Sequence, residues 1–162
     1  KMFKLSIIVI CLLFLFQISI VYSQNSKKIG KVTGLEIPRF VSLKKSKTFL
    51  RRGPSKSYKI DWILERNNYP LKVIAEHEHW RQVRDFQGDE GWVYFRLLSG
   101  KRTIIILKDE VFLRKSSKKN SYPIGILKYG VIGELIDTEE NFCNARFQNL
   151  KGWINKSDAW GC

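Results

Sequence analysis

Two stretches of this chain repeat one pattern, and the repeat constrains the fold more than any other feature of the sequence. The first stretch is "DEGWVYFRLLSG" at positions 89–100, and the second is "LKGWINKSDAWG" at positions 150–161. Each places a Gly-Trp step before a β-branched residue, and Trp92 and Trp153 lie 61 residues apart. The same local structure is therefore expected twice.

The repeat extends upstream of both Gly-Trp steps. "TFLRRGPSKSY" at 48–58 matches "VFLRKSSKKNSY" at 111–122, and "LKVIAEHEHWRQVR" at 71–84 matches "GELIDTEENFCNAR" at 133–146. The offsets of 63 and 62 residues differ from 61 only by small loop changes, so a unit of about sixty residues recurs. A domain of that size buries only about 60% of its unfolded surface, and the two copies are therefore expected to pack together.

The apolar residues of both copies predict β-strands. Runs such as "PLKVIAEH", "GWVYF" and "TIIILK" are short, rich in β-branched residues and separated by turns. No window of the sequence shows a sustained 3.6-residue apolar stripe. The chain is therefore predicted to be all-β.

The N-terminal segment has the layout of a secretory signal peptide. A basic start precedes the uncharged run "LSIIVICLLFLFQISIVY" at 5–22, and Val21 and Ser23 provide small residues before a cleavage point. We expect a signal peptide at 1–23, with a retained membrane anchor as the alternative, because 18 residues approach the ~20 needed to span a bilayer.

The remaining chain divides into three parts. Residues 24–37 are polar and unpatterned, which predicts a flexible lead-in. The two copies then occupy 38–100 and 101–162, joined by the short connection "LLSGKRT".

The charge of the chain points to anionic partners. There are 29 Lys and Arg against 15 Asp and Glu, and removing Lys1 and Lys4 leaves 27 against 15, a net charge of +12. In the cytoplasm such an excess would suggest nucleic acid. For an exported protein we expect a periplasmic location and an anionic envelope surface as partner, with no nucleic acid.

Two cysteines remain after the signal segment. Cys143 and Cys162 are candidates for a disulfide, since an even number of cysteines in an oxidising compartment favours pairing. Such a bridge would stabilise the fold by about 3 kcal/mol on the chain-entropy model. Two independent thiols are the alternative, because sequence separation does not guarantee the required geometry.

The motifs of the first copy resemble those of a known family. "FLRRGPS", "VIAEHEHWRQVRD" and "GDEGWVYFRLL" are similar to the bacterial SH3-like domain family. With "PRFVSL" at 38–43, the whole arrangement resembles the exported tandem SH3-like proteins of alphaproteobacteria. The resemblance covers 38–161 and is weaker in the second copy, where "KSSKKN" replaces Gly-Pro and Phe142 replaces the central Trp. It implies two small, strongly bent β-barrels that bind through loops and aromatic side chains.

Four aromatic residues are candidates for a ligand platform, because SH3-type domains hold extended peptides in aromatic-lined grooves. They lie in or beside polar segments and are Tyr58, Trp62, Trp80 and Tyr94. The alternative for each is a place in the core or between the two copies.

Basic residues cluster in equivalent loops of the two copies, which predicts two basic lobes that attract an anionic surface. The alternative is a solvated face without a partner. The candidate residues are Lys44, Lys45, Lys47, Arg51, Arg52, Lys56, Arg114, Lys115, Lys118 and Lys119.

Four residues are assigned structural roles. Gly53-Pro54 suits a tight turn, because Pro fixes φ and Gly accepts conformations closed to other residues. Trp92 and Trp153 follow glycines that suggest a close backbone approach, and their indoles are expected to fold over the barrel core rather than to contact ligand.

The sequence predicts a protein without catalytic activity. His77 and His79 in "EHEH" suit a turn at a strand end better than a metal site, because two imidazoles make an incomplete site. Neither histidine belongs to a nucleophile motif, and no phosphate-binding glycine loop is present. No metal or cofactor is expected.

These observations predict a binding module of the cell envelope that recognises peptidoglycan or an envelope protein. Aromatic grooves would supply recognition, and the basic loops would supply long-range attraction. The alternative is an accessory protein–protein interaction domain without affinity for the cell wall.

Overall fold

The computed structural model describes residues 28–118 and 120–162. The predicted signal segment at 1–23, residues 24–27 and Lys119 lie outside the described residues. Within them the secondary structure is almost entirely β, which confirms the predicted all-β class. None of the helical segments described is long and apolar enough to cross a membrane.

The first half of the structure contains a hairpin and a sheet. The hairpin pairs β1 (Lys28–Ile29) with β2 (Glu36–Ile37). A 3₁₀ helix, Phe95–Leu97, connects the last two strands of the sheet. The seven strands of this first sheet are β3 (Arg39–Leu43), β4 (Thr48–Arg51), β5 (Ile60–Leu64), β6 (Pro70–His77), β7 (Trp80–Arg84), β8 (Glu90–Tyr94) and β9 (Leu98–Ser99).

The second half contains a sheet of the same size. A 3₁₀ helix, Lys156–Asp158, again precedes the last strand. The seven strands of this second sheet are β10 (Thr103–Ile106), β11 (Glu110–Arg114), β12 (Pro123–Lys128), β13 (Ile132–Thr138), β14 (Phe142–Phe147), β15 (Leu150–Asn155) and β16 (Ala159–Trp160).

The two sheets have the same topology. Their strand orders are β5-β4-β8-β7-β6-β3-β9 and β12-β11-β15-β14-β13-β10-β16, so adding seven to each label of the first gives the second. Neighbouring strands are antiparallel throughout. The register shifts after Leu50 in β4 and after Leu113 in β11, at equivalent positions. The repeat in the sequence thus encodes two copies of one sheet.

Alternation along the strands separates a core face from an outer face. In β4, Leu50 is buried whereas Phe49 is exposed, and in β11 the same holds for Leu113 and Phe112. Successive side chains of a strand point to opposite faces, so one face of each sheet forms a core and the other meets solvent.

The Gly-Trp step recurs because two strands approach closely at the glycine. A Cβ atom on Gly91 would lie 2.6 Å from Cβ of Leu50, and one on Gly152 would lie 2.5 Å from the carbonyl oxygen of Arg114. Any larger residue would therefore force β8 away from β4, or β15 away from β11.

The two indoles next to these glycines differ from expectation. Val93 and Ile154 belong to the cores, so the preceding residues, Trp92 and Trp153, point to the outer faces and are only half-buried. The expectation that both indoles fold over the core was wrong, because strand alternation assigns the core positions to the following β-branched residues.

The two halves share part of one core. Ile105 of β10 is buried in the cluster formed by the first sheet, and Ile132 and Trp160 pack against that cluster. The rings of Phe40 and Trp160 meet edge to face, with centroids 4.9 Å apart. The second half therefore supplies apolar side chains to the core of the first.

Polar contacts complete this seam between the halves. Thr103 Oγ1 donates a hydrogen bond of 2.7 Å to the carbonyl oxygen of Asn68. The guanidinium of Arg66 donates one of 2.8 Å to the carbonyl oxygen of Gly130. These bonds fix the relative position of the sheets, as the marginal size of each unit led us to expect.

Residues 28–37 are not the flexible lead-in that their composition predicted. The β1–β2 hairpin docks on Glu76 of β6, whose carboxylate accepts hydrogen bonds from the backbone N–H groups of Val32 and Thr33 and from Thr33 Oγ1. No local pattern indicated this contact, because the two segments lie more than forty residues apart.

Glu76 is itself held by two arginines. Its side chain is 1% exposed and lies 2.8 Å from Arg39 and 3.5 Å from Arg81. Burial opposes ionisation, but the hydrogen bonds from Thr33, Arg39 and the hairpin backbone lower the pKa of Glu76 to about 2. The carboxylate therefore stays charged and keeps the hairpin in place.

A disulfide joins Cys143 of β14 to Cys162, with 6.1 Å between the Cα atoms. Of the two alternatives left by the sequence, pairing is the one that the structure contains. The bond ties residues 159–162, including β16, to the centre of the second sheet.

Candidate ligand-binding groove on the first sheet

A groove of about 320 Å³ opens on the outer face of the first sheet. β4, β7 and β8 lie side by side there, and the 3₁₀ helix closes one end. The side chains that line it are Phe49, Arg51, Lys56, Trp80, Tyr94 and Leu97.

Strand pairing brings the two central aromatic rings together. Trp80 of β7 is directly opposite Tyr94 of β8, and their ring centroids are 5.7 Å apart in an edge-to-face arrangement. Side chains directly opposite each other in antiparallel strands share a face, which places both rings on the outer side. Two of the four predicted ligand residues therefore lie in the groove.

The aromatic surface continues beyond the groove. Phe95 lies 5.2 Å from Tyr94, and the imidazole of His79 is stacked on Phe95 at 5.8 Å. These contacts restrict the position of Tyr94, so the groove wall is preorganised for contact with a ligand.

The other two predicted ligand residues lie on the hairpin formed by β4 and β5, which is called the β4–β5 arm. Trp62 is in β5 opposite Leu50 and is half-exposed, and Tyr58 precedes β5 and is also exposed. They do not line the groove with Trp80 and Tyr94. Lys56 and Phe49 of the same arm do line the groove, but Trp62 is opposite Leu50 and therefore lies on the other face of this strand pair from Phe49.

Gly53 and Pro54 form a turn at the tip of this arm. The N–H of Ser55 donates a 2.9 Å hydrogen bond to the carbonyl oxygen of Gly53. A Cβ atom on Gly53 would lie 2.6 Å from the ring of Tyr58. A larger residue at this position would displace the exposed ring of Tyr58, a contact that the sequence did not reveal.

Two groove residues were missed from the sequence. Phe49 lies beside the buried Leu50, and its exposed outward position follows only from the strand alternation. Leu97 belongs to the 3₁₀ helix, whose orientation no local pattern indicates. The only available signal for Phe49 was its place between two buried residues, Thr48 and Leu50.

Several predicted anion-attracting residues bind within the protein. Arg51 donates a 2.8 Å hydrogen bond to the carbonyl oxygen of Tyr58, and Arg114 donates an equivalent one of 2.6 Å to Ser121. Both guanidinium groups thus fix the loops that follow β4 and β11. Arg51 nevertheless also contributes to the groove wall.

Three further basic residues have partners on the surface. Arg52 pairs with Asp61 at 2.9 Å, and Lys47 lies 3.7 Å from Glu65. Lys115 lies over the ring of Tyr122, and a hydrogen bond to that residue raises the pKa of Lys115.

The remaining predicted cations are exposed. Among residues 28–118 and 120–162 they form no ion pair, and they are Lys44, Lys45, Lys56 and Lys118. Lys56 is the one that also lines the groove. A ligand in the groove would therefore meet aromatic rings on its floor and a free ammonium group at its rim.

The equivalent surface of the second sheet has a different composition. Phe142 occupies the position of Trp80, Asn155 that of Tyr94 and Asp158 that of Leu97. Burial opposes ionisation of Asp158, but hydrogen bonds from Lys108 and Asn155 hold its pKa below the usual range. Polar Asn155 and ion-paired Asp158 thus replace Tyr94 and Leu97, whereas Phe112 and Phe142 keep aromatic rings at the positions of Phe49 and Trp80.

The two histidines lie at the β6–β7 turn, as predicted. His77 ends β6, Glu78 has a φ of 45° in the turn, and His79 precedes β7. In the described part of the chain, no three His, Cys, Asp or Glu side chains come close enough together to hold a metal ion.

Comparison with known families identifies the part of the chain that carries the groove. The family described as bacterial SH3 domain matches residues 44–100, a range that includes β4 to β9 and every residue of the groove. The predicted resemblance to the bacterial SH3-like domain family is therefore confirmed for residues 44–100. No curated protein matches the chain.

Two solved structures are similar to this chain at low identity. NlpC2 from Trichomonas vaginalis is 10% identical with a TM-score of 0.34, and the alignment covers 75% of this chain and 47% of that one. NlpC1 from Trichomonas vaginalis is 9% identical with a TM-score of 0.35, with coverage of 82% and 49%. The chain thus spans about half the length of both proteins.

Proposed function

We propose that this protein is a non-catalytic binding module of the cell envelope that holds peptidoglycan or an envelope protein in the groove of the first sheet. The observation that carries the proposal is the groove itself, which is lined by the rings of Phe49, Trp80 and Tyr94, with Trp80 and Tyr94 in edge-to-face contact. Aromatic-lined grooves of SH3-type domains bind extended peptides, and aromatic rings also stack on sugars.

The chemistry of the rim favours a ligand that carries carboxylates. Lys56 is exposed beside the rings, and the surrounding loops add Lys44 and Lys45. Charged groups around a binding site raise the rate of encounter with an oppositely charged partner. Carboxylate-bearing peptides of the cell wall would meet both requirements, as would an acidic segment of an envelope protein.

The proposal includes the architecture and the location of the protein. Each sheet is one strongly bent SH3-like barrel, with residues 38–100 in the first and 101–162 in the second. Residues 1–23 are a signal peptide that directs export to the periplasm. The second barrel is a structural partner, since its outer face has Asn155 and Asp158 where the groove of the first has Tyr94 and Leu97. No cofactor takes part.

Co-sedimentation of the purified protein with sacculi across a salt series tests the proposal. Retention that survives moderate salt and falls with Trp80→Ala is expected, because the ring contacts are short-ranged and are not screened. Absence of retention at low salt would contradict wall binding. In that case, envelope proteins that co-purify with this protein after cross-linking and resist salt would identify it as an accessory interaction domain.

A further inference from the structure

The outer edge of the first sheet is an apolar strand without a neighbour. β5 is the terminal strand of the sheet, and within the described residues only β4 pairs with it. Ile60, Trp62 and Ile63 are 42%, 48% and 51% exposed. An edge strand presents a row of unpaired N–H and C=O groups, which is a template for a further strand.

The usual protection of such an edge is incomplete in β5. Native proteins protect edges with charges, prolines or bulges. The only charged residue within β5 is Asp61, and its carboxylate is paired with Arg52. The register shift at Asp61 is the one remaining protection, so residues 62–64 form an uninterrupted edge.

The equivalent strand of the second sheet is better protected. β12 begins with Pro123, which has no N–H to donate, and Lys128 at its end pairs with Glu110. β12 thus provides an internal comparison with the same topology and a less suitable edge.

The positive charge near β5 favours an acidic partner. Between residues 44 and 65 there are seven Lys and Arg (44, 45, 47, 51, 52, 56 and 59) against Asp61 and Glu65. A second copy of this chain would bring the same positive excess to the edge and be repelled. An acidic strand would gain both backbone hydrogen bonds and favourable electrostatics.

We infer that β5 is a docking edge for an extended acidic polypeptide segment, which adds to the first sheet as an eighth strand along residues 62–64. This surface is distinct from the groove, although Ile63 pairs with Phe49 of the groove wall. Main-chain hydrogen bonds give affinity in such strand addition, and alternate side chains give specificity.

Amide hydrogen exchange of the purified protein tests the inference. The probe is a blocked ten-residue peptide that alternates glutamate with valine. At ten times its dissociation constant, exchange of those amides of 62–64 that point away from β4 is expected to slow about tenfold, while the amides of β12 are unchanged. Absence of protection in β5, or equal protection in both strands, would overturn the inference.

Two modified peptides separate a strand ladder from charge alone. A peptide with every backbone nitrogen methylated keeps all side chains and charges but cannot donate to a ladder, and it is expected to give no protection. A peptide with lysine in place of glutamate is expected to fail as well, because the edge is basic. Protection by the methylated peptide would refute strand addition without any change to the protein.

Matched variants locate the surface. Ile63→Glu in β5 should abolish protection by the acidic peptide, whereas Ile126→Glu in β12, at an equally exposed position, should not. Trp80→Ala should leave it intact, so failure of the groove and failure of the edge are distinguishable. Self-association of the wild type that Ile63→Glu abolishes, measured by sedimentation, would identify a second copy as the occupant and overturn the proposal.

Discussion

At one equivalent position, the first sheet is stabilised by an ionic cluster and the second by a disulfide bond. Arg81 in β7 corresponds to Cys143 in β14. In the first sheet, Arg81 and its neighbour Glu76 belong to an ionic cluster that holds the N-terminal hairpin. In the second sheet, Cys143 is bonded to Cys162 and holds the C-terminal residues. The same core site thus fastens a different end of the described chain in each half.

The outer faces differ as well, whereas the cores do not. Leu50, Leu113 and Val93 are fully buried, and Ile154 is nearly so. On the outside, Trp80 faces Tyr94 in the first sheet, whereas Phe142 faces Asn155 in the second. The inner positions of both copies are therefore apolar, whereas only the first copy has two aromatic residues directly opposite each other at this outer position.

Removal of the disulfide bond is expected to have the largest effect on stability. Replacing both Cys143 and Cys162 by serine should reduce the free energy of unfolding by about 3 kcal/mol, since the bridge no longer restricts the unfolded chain. Urea unfolding of the oxidised wild type and the double variant measures the difference. An unchanged midpoint would mean that the seam alone holds the C-terminal residues.

The ionic cluster around Glu76 should make the stability of the first half sensitive to acid. The folded pKa of Glu76, about 2, lies below the usual value, so its contribution is present above the unfolded pKa and is lost as the pH falls towards 2. That contribution is roughly 2–3 kcal/mol. Glu76→Gln should therefore be less stable at neutral pH and show a shallower loss between about pH 5 and 2.

Unfolding in urea at several pH values measures this dependence. Thr138→Val is the matched control, because Thr138 occupies the equivalent register position in β13 and is exposed. Asp158, whose pKa is also lowered, accounts for part of the remaining slope. An unaltered slope in Glu76→Gln would show that the ionic cluster does not contribute to stability.

The difference between the outer faces should appear in binding. Trp80→Ala is expected to weaken retention on sacculi roughly 10- to 30-fold, as truncation of a central aromatic contact commonly does. Phe142→Ala, at the equivalent position, should have no effect on retention. Equal losses would show that both sheets bind, and circular dichroism of each variant excludes unfolding as the cause.

The smallest expected effect concerns the cations. Lys56→Gln should weaken binding about fivefold at low salt, corresponding to about 1 kcal/mol for one lysine near an anionic surface. Lys118→Gln, in the equivalent loop of the second half, should change it less, because the ring pair of Trp80 and Tyr94 has no counterpart in the second sheet. Both differences should vanish at high salt through screening.

The sequence was sufficient for the strands and for part of the site. Alternating apolar residues and the repeat predicted the sheets, and Trp80 and Tyr94 stood out as aromatic residues in polar surroundings. The role of Arg51 was not predictable, because its hydrogen bond to Tyr58 depends on the path of a loop. Glu76 was missed for a similar reason, since Thr33 and Arg39 are distant in sequence.

The shared core has a consequence for how such a protein can be divided. Ile105 and Trp160 fill space beside the first core, so a fragment that stopped at Gly100 would expose an apolar cavity where the second copy had been. The two copies therefore cannot be exchanged or deleted as independent domains. The sheet of the second copy is needed for the stability of the first, independently of what its own outer face binds.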